Sequence, residues 1–476
     1  RRALPAGGAL PAPSLSRRVA GSPAMHVAFL TVFLGLVAGT QEIALQVEGA
    51  PASVELRLDG RRVALLERPP WTARLALGDE LLPRRLEARA LDAEGRERAR
   101  AEQWLNLPRS PAEVEIALED GPAGAPAAAR VRWASLPGEQ PLRVTLAFDG
   151  RPLALDAEGR ARLPSFDPGA PHLVSAEVVF PREVVARRDL AFGGALGEEA
   201  RTELTAIALE QPAGAKIPSL SQAAAWLAGP EEPLHLAAID GGGAEVVLVR
   251  GAEARDARAR LGSGSATVWT PMGARGPRVR TRDSQYLRFE ARLRRGDVVR
   301  FLWPYPRQTL SGSGLPVRLF DSAQPVPAEE AGLFWLLTRA ESPAHAGEPR
   351  LADALAVAGL QAAATGGPRA VVLVLGSATT DPSTYSPATV RQYLASLRVP
   401  LFVWTLARRD DPSSPVWGAT QAAGSLSALQ GAVKRLRAGL DRQVVVWLEG
   451  RHLPQSIELT AAARAAGVRF AGEAAP

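Results

Sequence analysis

The sequence predicts a multidomain chain in which two all-β sandwiches are followed by an α/β domain with a doubly wound sheet. Two patterns of apolar residues predict this class. Residues 42–107, and again 146–163, alternate apolar and polar side chains around Asp-Gly turns, which is typical of antiparallel strands. From about residue 198, short apolar runs alternate with segments of helical spacing, which is typical of a parallel sheet. The length of 476 residues allows about two to four domains.

Residues 40–108 are the first predicted sandwich. In "SVELRLDGRRVALLE", Val54, Leu56 and Leu58 share one face and precede Asp59-Gly60, a pair that favours a type I′ hairpin turn. The stretch "LAFDGRPLALDAEGRARL" at 146–163 repeats this turn, and the two Asp-Gly pairs lie 90 residues apart. Because this spacing is close to the length of one sandwich, it predicts two Ig-like domains, at 40–108 and 109–197. Two unrelated hairpins with the same turn chemistry are the alternative.

Residues 198–476 are predicted to form the α/β domain. Apolar runs at 243–251, 297–304, 369–376, 399–406 and 443–450 predict its strands. Helical spacing is found at 350–364, 386–398 and 425–440, and Ser386-Pro387 is a typical helix start. Strands that alternate with helices predict a parallel sheet that is covered on both faces.

Composition excludes several classes of function. The net charge is +6, but four arginines near the N-terminus contribute most of it, and residues 1–39 contain no acid. The remaining arginines alternate with acids, so no basic face for nucleic acid is expected. The chain has no cysteine, which excludes disulfides, thiolate catalysis and cysteine-based zinc sites.

The N-terminal residues 1–39 are typical of an export signal. An apolar run at 26–38 follows Arg17-Arg18 and Met25, and small residues come after it at Ala38 and Gly39. The sequence therefore predicts an extracytoplasmic protein, periplasmic or secreted, with an uncleaved N-terminal anchor as the alternative. No later segment is apolar and long enough to span a membrane.

Three stretches carry a family resemblance. "GEPRLADALAVAGLQAA", "RAVVLVLGSATTD" and "VRQYLASLRVPLFVWTL" resemble the second-loop helix, fourth strand and fifth strand of a von Willebrand factor A domain. With "PPWTARLAL" and "QWLNLPR", nearly the whole chain resembles bacterial secreted proteins called von Willebrand factor A-related. The resemblance implies Ig-like modules before a divergent Rossmann-type domain.

The same resemblance implies a place for a magnesium ion. The family binds magnesium through Asp-x-Ser-x-Ser after the first strand, a Thr from a second loop and an Asp after the fourth strand. Aligned with this chain, those positions fall on Gly251, Glu253, Arg255, Pro349 and Ser377. Every ligand is replaced, and an arginine would bring positive charge to a cation site. The comparison predicts a degenerate site with no metal and no other cofactor.

The loop after the strand at 369–376 is the candidate partner-binding site. It lies at the carboxyl end of a central strand, where open α/β sheets bind ligands. Its candidate residues are Ser377, Thr379, Asp381, Ser383 and Tyr385. A structural turn that leads to the Ser386 cap is the favoured interpretation of Asp381-Pro382-Ser383, and a metal or another ligand is the alternative.

No enzymatic signature is found. The five histidines have no metal-ligand spacing, and the hydrolase elbow and the P-loop are absent. Arg295-Gly296-Asp297 spells an adhesion tripeptide, but it is interpreted as the turn before a strand. The sequence predicts an exported, non-enzymatic protein-interaction protein with an unidentified protein partner, no nucleic acid and no small-molecule substrate. Metal-dependent adhesion through a rearranged site is one alternative, and an extracytoplasmic enzyme or glycan-binding protein is another.

Overall fold

A computed structural model of the chain divides into two compact units. Unit one contains the described residues up to 31, with 40–76 and 85–103, and unit two contains 33–39, 77–84 and the residues from 104 onwards. The predicted multidomain, β-rich architecture is confirmed. The structure describes residues 25–31, 33, 35–108, 112–120, 126–135, 140–167, 170, 172–180, 185–192, 204–230, 234–261, 293–310, 316–323, 325–328, 332–342, 347–376, 381–406 and 415–473.

Strands β1–β7 lie in unit one, except for the first residue of β6 and the last two residues of β7. They form a sheet of order β1-β2-β5 and a sheet of order β4-β3-β6-β7. Asp59 and Gly60 have φ values of 50° and 80°, so the predicted hairpin between β3 and β4 is confirmed. The strands are β1 His26–Phe29, β2 Thr40–Glu48, β3 Ser53–Leu58, β4 Arg61–Leu66, β5 Thr72–Ala76, β6 Arg84–Leu91 and β7 Glu97–Leu105.

Strand β1 lies within the segment that the sequence predicts as an export signal. It pairs antiparallel with β2, and Val27 at its centre is 3% exposed. The Thr31 hydroxyl oxygen accepts a hydrogen bond from the Ala44 N–H at 2.9 Å, and the Gln103 amide donates to the Thr31 carbonyl at 3.0 Å. The start of the apolar run, residues 26–29, is thus part of the folded sheet, while its role in export stays a prediction.

The second sandwich belongs to unit two. Its sheets have the orders β11-β10-β13-β14 and β12-β9-β8. Ile116 and Val131 from one sheet share a core with Leu146 and Val174 from the other, so the sheets pack face to face. The strands are β8 Ala112–Asp120, β9 Pro126–Ser135, β10 Arg143–Phe148, β11 Arg151–Leu153, β12 Arg160–Arg162, β13 His172–Val179 and β14 Val185–Phe192.

The rest of unit two mixes helices and strands. In chain order the elements are β15 Leu204–Glu210, α1 Leu220–Ala224, β16 Leu227–Ala228, β17 Leu236–Asp240, β18 Glu245–Arg250, α2 Ala254–Leu261, β19 Val298–Leu310, β20 Pro316–Ser322, β21 Val326–Pro327, α3 Leu333–Arg339, α4 Leu351–Ala363, β22 Arg369–Leu375, α5 Pro387–Ser396, β23 Leu401–Thr405, a 3₁₀ turn Pro415–Trp417, β24 Thr420–Ala422, α6 Leu426–Leu440, β25 Gln443–Glu449, a 3₁₀ turn Pro454–Ser456, β26 Glu458–Leu459, α7 Ala461–Ala465 and β27 Arg469–Phe470. No described helix is long and apolar enough to cross a bilayer.

The main sheet has the order β20-β19-β18-β22-β23-β24, with β21 also paired to β19. Strands β18, β19, β22, β23 and β24 are parallel, and β20 and β21 run antiparallel to β19. Alternate residues of β18 face opposite cores: Val246 and Leu248 share one with α3 and α6, and Val247 and Val249 share the other with α4 and α5. The predicted parallel sheet with helices on both faces is therefore confirmed.

One strand differs from the sequence interpretation. The run at 443–450 was expected in the parallel sheet, but β25 lies in a separate sheet of order β17-β25-β15-β27, antiparallel to β15 and β17. Strand β15 begins at Leu204, far from β25 in sequence. An apolar run reveals that a strand is buried, but it does not reveal the strand's partner.

Candidate functional site

The candidate site lies at the carboxyl edge of the main sheet. Parallel strands β18, β22 and β23 end there at Arg250, Leu375 and Thr405. Of the predicted positions, Ser377 and Thr379 lie outside the described residues. The others occur in three described segments, at 251–255, 347–350 and 381–385.

Gly251 sits where two elements approach the end of β18. A Cβ at this position would lie 2.9 Å from the carbonyl oxygen of Val374 and 2.9 Å from the Leu351 side chain. Only glycine fits this approach without a shift of β22 or α4. Gly251 therefore brings β18, β22 and the start of α4 together, and it offers no ligand atom from a side chain.

Glu253 is engaged by hydroxyl groups. Its carboxylate accepts hydrogen bonds from the Tyr305 phenol at 2.9 Å and from the Ser342 hydroxyl at 3.0 and 3.2 Å. Burial, together with this hydrogen bond, raises the pKa of Tyr305 well above its usual range, so the phenol stays a donor. The carboxylate at the end of β18 is thus held by this chain's own donors.

Arg250 is the buried cation at this edge. Its guanidinium donates to the carbonyl oxygen of Ala340 and, at 3.1 Å, to those of Leu337 and Ala252. Burial lowers the pKa of Arg250 to about 10, so the side chain is still protonated at neutral pH. Sequence alignment attributed positive charge to Arg255, whose side chain is 83% exposed. The buried charge comes from Arg250, which ends the strand.

Asp381 and Ser383 cap helix α4. The Asp381 carboxylate accepts from the N–H groups of Leu351 at 2.9 Å and Ala352 at 3.1 Å. The Ser383 hydroxyl oxygen accepts from the N–H groups of Ala352 at 3.0 Å and Asp353 at 3.1 Å, and the hydroxyl donates to Asp381 at 2.6 Å. Arg350, at the N-cap position of α4, makes no side-chain cap. The loop supplies the acceptors that the first turn of a helix needs.

Helix α4 also binds the loop, through the side chain of Asp353. Its carboxylate accepts from the Thr384 N–H at 2.9 Å and the Tyr385 N–H at 3.1 Å. Loop 381–385 and the first turn of α4 thus hold each other, an arrangement that we call the α4 clasp. The favoured structural-turn interpretation fits this geometry, but the helix that Asp381 caps is α4. Ser386 caps α5 through the Thr389 N–H, as the sequence predicts.

Tyr385 is also engaged within unit two. Its phenol donates to the Leu36 carbonyl at 3.2 Å, and burial raises its pKa. The amide of Asn106 holds the same segment: it accepts from the Val37 N–H and donates to the Val37 carbonyl, both at 2.8 Å. Segment 33–39 therefore contacts loop 381–385, part of the candidate partner-binding site predicted from the sequence.

The described residues do not fit a magnesium ion. Within them, no three His, Asp or Glu side chains lie together in a group that could hold a metal. Glu253, Asp353 and Asp381 each already accept hydrogen bonds from hydroxyl or backbone N–H groups. Magnesium needs about six oxygen ligands, so these donors would have to leave first. Pro349, the aligned position of the Thr ligand, has no oxygen in its side chain.

The adhesion tripeptide forms a turn, as expected. Asp297 is 5% exposed, and its carboxylate accepts from the N–H groups of Ala244 at 2.9 Å and Arg294 at 2.8 Å. Gly296 has a φ of 90°, a conformation that favours glycine. The Asp297 carboxylate is used to join β18 to the start of β19.

Comparisons with known proteins give weak matches. No family model and no curated protein matches the chain. The fibronectin(III)-like modules of Clostridium thermocellum CbhA are 14% identical over 37% of this chain and 99% of that chain, with a TM-score of 0.14. The central fibronectin-III array of RIM-binding protein is 14% identical over 38% of this chain and 79% of that chain, with a TM-score of 0.20.

A third solved structure covers more of the chain. The ArnB paralog VWA2 from Sulfolobus acidocaldarius is 10% identical over 65% of this chain and 66% of that chain, with a TM-score of 0.24. At these TM-scores the matches are not used to assign an architecture. The architecture described above follows from the sheets, strand registers and cores of this chain.

Proposed function

We propose that this chain is a non-enzymatic protein-interaction scaffold in which a von Willebrand A-like domain works without a metal ion. In this proposal the two sandwiches are Ig-like modules that precede the interaction domain. Its location outside the cytoplasm rests on the sequence of residues 1–39. The partner is a protein, and neither nucleic acid nor a small-molecule substrate is required.

The observation that carries the proposal is the α4 clasp. A metal-dependent adhesion domain needs carboxylates that are free to bind a cation at the carboxyl edge of the sheet. Here Asp381 and Asp353 accept backbone N–H groups across the loop and helix, and Glu253 accepts two hydroxyls. These acids stabilise the edge itself. Their use in the fold also supports a role other than acid–base catalysis, which needs a carboxylate within reach of a substrate.

Thermal unfolding of the full chain tests the absence of a metal. An ion that binds only the folded state raises its stability by mass action. We expect the unfolding temperature in magnesium, manganese or calcium to equal that in chelator. A rise of about 3 °C or more with one ion would contradict the proposal and support metal-dependent adhesion.

Capture on the immobilised chain tests the kind of partner. Extracytoplasmic proteins of the source organism are passed over it in buffer, in chelator and in excess monosaccharides. We expect a specific protein to be retained under all three conditions. Release by chelator would support metal-dependent adhesion, and release by sugar would support glycan binding. Retention of no protein in any condition would contradict the scaffold proposal.

A further inference from the structure

Arg250 directly precedes Gly251, the position that the family resemblance aligns with the first metal ligand. It is the last residue of β18, its register partner on β22 is Val374, and it is 3% exposed. Its guanidinium donates to carbonyls at the C-terminal end of α3, from Leu337 and Ala340. The helix dipole is negative at that end, which favours a cation.

Glu253 supplies negative charge near this cation, because the Arg250 guanidinium donates at 3.1 Å to the carbonyl of Ala252, the residue directly before Glu253. The charge of Glu253 acts on the Arg250 guanidinium, as does that of Glu341, which pairs with Arg258 at 2.6 Å. Arg258 also donates to the Thr338 carbonyl at 3.0 Å, so two arginines hold the end of α3. The sheet edge therefore contains a buried cation, its counter-charges and the helix end that they fix.

We propose that Arg250 is a built-in cation that takes the place of a divalent ion at this edge, balancing Glu253 and fixing the end of α3. This inference rests on the proposed metal-free function and explains how the edge stays folded without an ion. Glu253 is half-buried and its carboxylate is less hydrated than at an open surface, so a cation nearby stabilises its charge. A guanidinium on the last residue of β18 is present permanently.

Replacement of the cation by a ligand gives a direct test. In the full chain, Arg250→Asp removes the guanidinium and adds a carboxylate three residues before Glu253, whose own carboxylate binds the hydroxyls of Tyr305 and Ser342. We expect this variant to be less stable than the wild type in chelator and to gain about 3 °C or more in millimolar calcium, manganese or magnesium. The wild type is expected not to respond.

Arg369→Asp is the matched control. Arg369 is also buried, at 1% exposed, and its guanidinium also donates to backbone carbonyls, those of Ala363, Thr365 and Ala206. It begins β22 and therefore lies at the opposite edge of the sheet. We expect this variant to lose stability and to show no response to ions. Equal responses of the two aspartate variants would overturn the inference.

A second pair of variants gives an answer even if Arg250→Asp does not fold. Arg250→Met removes the charge and keeps much of the volume, and Glu253→Gln then removes the charge that needs balancing. We expect the double variant to unfold at a higher temperature than Arg250→Met. A double variant that is no more stable would overturn the inference. A wild type that responds to ions would instead contradict the proposed function, so the two failures are distinguishable.

Discussion

At the scale of single residues, Asp381 shows how one side chain can stabilise a distant helix. Its carboxylate accepts hydrogen bonds from two N–H groups of α4, about thirty residues earlier in the chain. We expect Asp381→Ala to lower the free energy of unfolding by about 1–2 kcal/mol, because two first-turn donors lose their acceptor. Denaturant unfolding with and without chelator measures this loss, which should be the same in both.

Glu348→Ala is the control for this prediction. Glu348 is exposed and lies just before the same helix. We expect its replacement to leave stability nearly unchanged. If Asp381→Ala were as stable as this control, the α4 clasp would contribute nothing to folding and the side chain would be free for a ligand.

His172 is a second residue whose surroundings have a measurable consequence. Its Nδ1 lies 2.8 Å from Asp149 Oδ2 and its Nε2 lies 2.9 Å from the Asp167 carbonyl oxygen, so the protonated ring donates to both. The ring lies among three phenylalanine rings, Phe148, Phe166 and Phe192. The hydrogen bonds to Asp149 and Asp167 raise the pKa of His172 above its ordinary 6.5. Hydrogen bonds from the Leu173 N–H and His172, with a smaller effect of the Arg151 charge, lower the pKa of Asp149 below its ordinary 3.8.

These shifts fix the pH range in which the pair stabilises the second sandwich. Because the pKa of His172 is raised, its protonated ring stabilises the folded state fully below pH 6.5. This stabilisation is lost as the pH rises through the folded-state pKa. Because the pKa of Asp149 is lowered, its carboxylate stabilises the folded state above pH 3.8. This stabilisation is lost as the pH falls through the folded-state pKa. We expect thermal stability to decrease as the pH rises above 6.5, and His172→Gln to reduce that decrease. A His235→Gln variant is the control, because His235 is exposed. If His172→Gln lost as much thermal stability with rising pH as this control, the prediction would be wrong.

At the scale of elements, the N-terminal segment contributes to both units. Strand β1 pairs with β2 in unit one. Within unit two, the amide of Asn106 binds both polar groups of Val37 and the Leu82 carbonyl, and Asn106 itself is 5% exposed. Cleavage after Gly39 would remove β1 and Val37, and it would leave the buried amide of Asn106 without these partners.

We therefore expect a chain that begins at Thr40 to unfold at a lower temperature than a chain that begins at Met25. Each unpaired buried group costs about 1–3 kcal/mol, and the loss of Val27 from the sheet adds to this. Comparison of the Met25 chain with the full chain is the control, because both contain β1 and Val37. Equal stability of the two shorter chains would show that residues 25–39 are dispensable for the fold.

Local patterns explain which elements could be predicted. Asp59-Gly60 specifies its turn through backbone conformation, and Ser386 caps the helix that follows it directly. The cap on α4 could not be found in this way, because its acceptors come from Asp381 and Ser383 in a different loop. Arg250 was missed because an arginine inside an apolar run gives no local sign of its partners, the carbonyls of α3.

At the scale of the whole molecule, the succession from β modules to an α/β part follows from the change in apolar periodicity. The period of two before residue 163 and the alternation of strands and helices after residue 198 are properties of long windows, so single exceptions do not hide them. Pairing between distant strands is different. The antiparallel sheet of β15 and β25 depends on complementary surfaces that meet only after folding, and no window of sequence contains both.

That long-range pairing also determines when the protein can finish folding during its synthesis. The Thr205 hydroxyl, next to the start of β15, donates to the carbonyl of Gly450, which is 245 residues later in the chain. At a translation rate of about 5–20 residues per second, β15 waits about 10–50 s for its partner strand to emerge. During this interval β15 lacks the strand with which it forms its longest ladder, and its exposed backbone groups can pair with other chains.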